Sequence, residues 1–132
     1  LKWVSSFDCK EAFKLGRKIE AHVKVKYSHN PDSLVDGQGD AYRHCLWSAS
    51  MRISLGFFPA EYIAANHETM NREEALMNGE NMEKFEASSR MDTFNNGQGR
   101  VVGAAFAEAR DYTGAAKMCD LWSTTGMLKT LV

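Results

Sequence analysis

Apolar residues recur at helical spacing along most of the chain. From Ser6 to about Lys24, the residues Ala12, Leu15, Gly16, Ile19 and Val23 share one side, with Lys10, Lys14 and Lys18 opposite. This predicts an amphipathic helix capped by Ser6 or Asp8. The stretch Tyr27–Gly39, rich in Ser, Asn, Pro, Asp and Gly, reads as a loop. A second helix is expected from Gly39–Asp40 to Leu55, stopped by Gly56. Its only charge between Cys45 and Ala60 is Arg52, so it is expected to be central and covered on several sides. Pro59 predicts the first turn of a third helix that ends at Asn78-Gly79. A fourth is expected from Glu80 to Phe94, broken by Asn96-Gly97. A fifth is expected over Gly99–Arg110, with Val102, Ala105, Phe106 and Ala109 on one face. The segment Thr113–Leu131 reads as one or two short helices around Ala116, Met118 and Trp122. The alternation His22–Tyr27 fits a frayed helix end or a short strand. The expected fold is therefore all-α, a compact single-domain bundle of about five to six helices over residues 1–132.

Composition narrows the function classes. With 132 residues, one domain can bury a core without disulfide staples. A net charge of −1 offers no basic excess for a phosphate backbone, which argues against nucleic acid as a partner. Every apolar stretch is interrupted well before the roughly 18 residues of a membrane span. The sequence starts at Leu1, so the chain is expected to be a processed product or a cut piece. Cys9, Cys45 and Cys119 are too few for a disulfide framework. Cys9 and Cys119 are a candidate pair joining the two ends; equally, all three fit as free buried thiols.

Three polar clusters interrupt the apolar pattern. Asp40 and His44 are one turn apart, which places a carboxylate beside an imidazole, able to orient a general base or ligate a metal. Arg43 and Trp47 have the same spacing and can stack. Cys45 projects about 100° from His44, which argues against a Cys–His nucleophile pair. In Asn66-His67-Glu68, His67 lies on the face of Ala60, Ile63, Ala64 and Met70, so it needs a buried partner. Asn71 in place of a second histidine rules out a HExxH motif. The third cluster joins Asp92 to Asn95 or Asn96 by one turn, with Asn96 a candidate helix cap. Gly97-Gln98-Gly99-Arg100 then offers a helix start that can face an anion.

The pattern Asp40-Ala41-x-Arg43-His44-x-x-Trp47, then His67-Glu68, then Met91-Asp92-x-x-Asn95-Asn96-x-x-Gly99-Arg100 resembles a small helical domain of unknown function. That family occurs in bacterial wall-associated, RHS-repeat and other secreted proteins. The resemblance spans about Asn30 to Val102 and implies a secreted or extracellular, toxin-like role in which these residues act together. The leading expectation is a hydrolase acting on a phosphoester, phospholipid or cell-wall polymer. His44, His67, Glu68, Asp40 and Asp92 are its catalytic candidates; Arg43, Asn95, Asn96, Arg100 and Trp47 are its substrate-binding candidates. Asp40, His44, His67 and Asp92 are candidate ligands for a divalent metal such as zinc or calcium. Small-molecule, lipid or polysaccharide substrates are the expected partners. The alternatives are a binding module for a sugar, anion or protein, drawing on Trp3, Trp47, Trp122 and four tyrosines, and a purely structural polar core.

Overall fold

A computed structural model describes residues 4–132, so Trp3 lies outside the described residues. Five α-helices form, α1 (Ser6–Lys26), α2 (Gln38–Leu55), α3 (Phe57–Met77), α4 (Met82–Phe106) and α5 (Tyr112–Thr124), with a 3₁₀ turn at Pro31–Leu34. No strand occurs among the described residues, and the His22–Tyr27 alternation continues α1 to Lys26. No helix is long and apolar enough to cross a membrane.

The cap of α1 is Ser5 rather than Ser6 or Asp8. Ser5 Oγ accepts from the Asp8 amide and Asp8 returns a bond to the Ser5 amide, a reciprocal box that satisfies two end donors. The buried stripe of α1 is Ala12, Ile19 and Val23. Helix α2 is the axis of the fold: 13 of its 18 residues are buried, so it is packed on every side. Helix α3 opens at Phe57, two residues before Pro59, with Gly56 preceding it at φ 92°.

The largest departure from expectation is α4, which runs unbroken through Asn95-Asn96-Gly97-Gln98-Gly99. Locally these residues favour a stop, and each interior glycine costs about 1 kcal/mol relative to alanine. Tertiary packing overrides that preference. A Cβ at Gly99 would overlap the Cys45 carbonyl and lie 2.8 Å from Ser48 Cβ; one at Gly103 would lie 2.6 Å from the Ala49 carbonyl oxygen. The glycines let α4 press directly onto the α2 backbone. No helix starts at Gly99, so its amides serve the helix rather than an anion, and Asn96 is no cap. Val102 and Gly103 are buried on this stretch, whereas Ala105 and Ala109 face solvent.

Cys45 and Cys119 form a disulfide between α2 and α5, with their Cα atoms 5.8 Å apart. This corrects both the Cys9–Cys119 pairing and the free-thiol expectation; Cys9 alone is free. Closing a loop of this length stabilises a fold by about 4 kcal/mol through the unfolded chain. Beyond α5 the chain runs back along the molecule. The Leu131 amide donates to the Asp36 carbonyl at 2.7 Å, and Lys129 pairs with the Asn95 side chain through both its amide and its carbonyl, at 2.8 and 2.9 Å.

Candidate active site

Helices α2 and α4 bring one histidine between two aspartates. His44 is 3% exposed, so its ring is fixed by protein groups alone. Its Nδ1 lies 3.0 Å from Asn96 Oδ1, which also accepts from Ser48 Oγ at 3.2 Å. A carbonyl oxygen cannot donate, so Nδ1 carries the proton and Nε2 faces the reactive side. Nε2 accepts from Arg43 Nη2 at 3.0 Å and lies 3.4 Å from Asp40 Oδ1 and 3.2 Å from Asp92 Oδ1.

The two carboxyl groups are driven apart. Burial raises Asp40, but the close approach of His44, the positive charge of Arg43 and the Asp36 amide outweigh this and bring its pKa to about 2. Arg43 Nη2 donates to Asp40 Oδ1 at 2.8 Å and the Asp36 amide to Oδ2 at 2.9 Å. Asp92 goes the other way. Burial lifts its pKa to about 7, with the Asp40 and Glu68 charges adding and His44 and Arg43 opposing. Its Oδ1 is buried at charge-pair distance from His44, yet no donor is aimed at it with hydrogen-bond geometry. A carboxyl ionised throughout and a carboxyl titrating near neutrality thus flank one imidazole nitrogen.

Two cavities border this cluster, one at Asn96 and one at Arg43, while Asp40, His44 and Asp92 line neither. One, of about 320 Å³ between α3 and α4, is lined by Glu68, Ser89, Asn96 and Arg100. Asp92 shares their α4 face, one turn from both Ser89 and Asn96. Ser89 Oγ donates to Glu68 Oε2 at 3.0 Å, leaving Glu68 Oε1 buried without a partner. The other, of about 170 Å³, is lined by Arg43, Trp47 and His67, with Gly16 of α1. His67 meets Trp47 edge-on, with ring centroids 5.4 Å apart. Burial lowers the His67 pKa; Glu68 opposes the shift, and His44 and Arg43 add to it.

The fold therefore gathers Asp40, Arg43, His44, Asp92 and Asn96, with Glu68 and Arg100 on one flank and His67 and Trp47 on the other. Trp47 is 6% exposed and its indole N–H donates to the Ala12 carbonyl at 2.9 Å, tying α1 to α2. Asn95 is turned away from the centre and holds Lys129. Sequence reasoning gave no role to Ser48, Ser89 or Asp36. Ser48 stands one turn from His44 and Ser89 one turn before Asp92, so helical spacing carried the signal for both. For metal binding, ligand atoms of Asp40, His44 and Asp92 lie within 4.8 Å of one another, and His67 is not part of that group. Asn96 anchors the imidazole as partners of metal-bound histidines do. Arg43 opposes a cation there, because its guanidinium already touches Nε2 and Asp40.

A family described as a domain of unknown function (DUF6973) matches residues 3–123. The chain belongs to the DUF6973 family. The matched span of this DUF6973 domain holds every candidate residue from Asp40 to Arg100 and both cysteines of the disulfide. No curated protein and no solved structure matches the chain.

Proposed function

We propose that the domain is a secreted hydrolase in which Asp92 and His44 handle the proton of an attacking water. The observation that carries this reading is the placement of two carboxyl groups, Asp40 and Asp92, 3.4 and 3.2 Å from one imidazole nitrogen, with environments that lower the pKa of the first and raise that of the second. Pairs of titratable groups pushed apart in this way mark acid and base assignments. Asp92, one turn from Ser89 and Asn96 of the cavity wall, takes the proton of a water arriving from the Glu68–Arg100 cavity, and His44 Nε2 accepts it in turn. Asp40 and Asn96 steady the imidazolium, which hands the proton back to Asp92, and Asp92 delivers it to the leaving oxygen. Arg100 makes no ion pair among the described residues and lines that cavity, where it meets charge developing on the substrate. An arginine beside a carboxyl acid–base favours a phosphoester, free or carried on a lipid, over a neutral polysaccharide.

The secreted setting is supported by the Cys45–Cys119 disulfide, a bond that persists in oxidising compartments. The likeness of the Asp-Ala-x-Arg-His pattern to modules of wall-associated and RHS-repeat proteins supports it too. A second reading follows from the three clustered ligand atoms: a divalent ion between Asp40, His44 and Asp92 would replace the shared proton and polarise the water. A binding module would use the same cavities without needing Asp92 poised near neutrality.

Hydrolysis of p-nitrophenyl phosphomono- and phosphodiesters by the purified domain, followed from pH 5 to 9, tests the proposal. Activity is expected to rise through about pH 7, as Asp92 ionises, and to fall about 10²–10⁴-fold in Asp92→Asn with the fold intact. Elemental analysis of the same sample, with melting curves with and without chelator, decides between the proton and the metal. Turnover unaffected by Asp92→Asn and His44→Ala would end the hydrolase reading.

A further inference from the structure

A further cavity lies away from His44. Residues two apart on α2 project about 200° from each other. Leu46 and Ser50 therefore face away from His44 and Ser48, into a groove of about 670 Å³ between α1, α2 and α5. Its walls include Leu15 and Ile19 of α1, Leu55 of α2 and Ala116 of α5, and it holds none of Asp40, His44 and Asp92.

One end of this apolar groove is polar and cationic. Ser54 Oγ and Tyr112 Oη are 2.6 Å apart, and Arg110 Nη2 donates to Tyr112 Oη at 3.2 Å. Arg110 Nη1 reaches the Ile53 carbonyl at 3.4 Å. These contacts use two of the five guanidinium N–H groups and neutralise no charge. Among the described residues Arg110 makes no ion pair. Lys18 adds a second cation, against the single lining carboxylate of Glu11.

The backbone gives an independent reason to single out Arg110. It closes α4 with φ 50°, its amide on the Ala107 carbonyl and the Asp111 amide on the Phe106 carbonyl, both at 3.1 Å. Glycine is the usual occupant of that left-handed cap, and a side chain there is strained. The chain keeps an arginine where its own backbone favours glycine, and points it into the groove.

We propose that this groove is a second binding site, separate from the catalytic centre, for a single-chain anionic amphiphile. Its alkyl chain lies along Leu15, Ile19, Leu46 and Ala116. Its carboxylate or phosphate head is held by Arg110 with the hydroxyls of Tyr112 and Ser54. Charge-assisted bonds from a guanidinium to such a head are about twice as strong as neutral ones, so the head sets affinity as well as orientation.

Calorimetric titration with dodecanoate and with dodecyl phosphate, both below their micelle concentrations, tests the site, with dodecanol as the uncharged control. Saturable one-to-one binding of at least one anion is expected, and the tighter of the two names the head group. Arg110→Gly, which the backbone favours, is expected to weaken that binding about tenfold while leaving dodecanol unchanged. Arg110→Gln removes the charge with the side chain in place and should do the same. Ala116→Trp, which fills the groove, should abolish it. Absence of saturable binding to either anion, or binding indifferent to all three substitutions, overturns the proposal. Neither result bears on Asp92 and His44, whose test is turnover.

Discussion

Two sides of α2 are built on opposite terms. On one side Cys45 is bonded to Cys119, both fully buried, and the contact with α5 is covalently closed. On the other, His44, Asp40 and Ser48 meet Asp92 and Asn96 of α4, with a buried carboxyl oxygen left without a donor. Adjacent residues, His44 and Cys45, begin the two sides. The comparison shows how a small helical fold holds an unfavourable charge arrangement. The closed side and the glycine contacts with α4 lock the helices, so the polar side cannot relax by moving apart.

Breaking the closed side has the largest expected effect. Reduction, or Cys45→Ser with Cys119→Ser, is expected to cost about 4 kcal/mol and lower Tm by roughly 10–15 °C in thermal melts. An unchanged Tm would mean that α5 is held by packing alone. The glycine seam sharpens the comparison with two substitutions of opposite sign. Gly99→Ala forces a Cβ into the Cys45 carbonyl and is expected to destabilise by about 2–3 kcal/mol. Gly97→Ala meets Arg100 at an ordinary 3.7 Å and should stabilise α4 by up to about 1 kcal/mol, by denaturant titration.

On the polar side, relief rather than loss is expected. A carboxyl whose folded pKa is about 7 binds its proton more tightly in the folded state than its unfolded value of 3.8 allows. Stability from this group is therefore full below about pH 4 and declines as pH rises towards 7. Asp92→Asn should gain about 2 kcal/mol at pH 8 and nothing at pH 4, read from Tm at both pH values. Asp40 works in reverse, contributing above pH 4 and losing its contribution as pH falls towards 2. A change of similar size to that of Gly97→Ala but opposite sign, about 1 kcal/mol in a thermal melt, is expected from Trp47→Phe for the bond to the Ala12 carbonyl.

Much of this was legible along the chain. The scarcity of charge from Cys45 to Ala60 marks α2 as central, and the one-turn spacing of Asp40 and His44 places carboxylate by imidazole. Asn95 and Asn96 show where reading stops. They are identical in chemistry and 100° apart on one helix. Asn96 orients His44 and Asn95 ties down Lys129, a division set by which neighbour each faces. Asn96-Gly97 has the composition of a helix end, and only the close approach of α2 turns Gly99 into a packing residue. Pairing Cys45 with Cys119 likewise requires knowing that α5 lies along α2.

The return of residues 127–132 across the molecule also bears on timing. Leu131 bonds Asp36, and the Asp36 amide bonds Asp40 beside His44. Contacts far apart in sequence carry the greatest loop-closure entropy and form late in folding. A chain emerging from synthesis has its helices in hand before this link can close. The brace behind Asp40 is thus set last, after α2 and α4 have already met around His44.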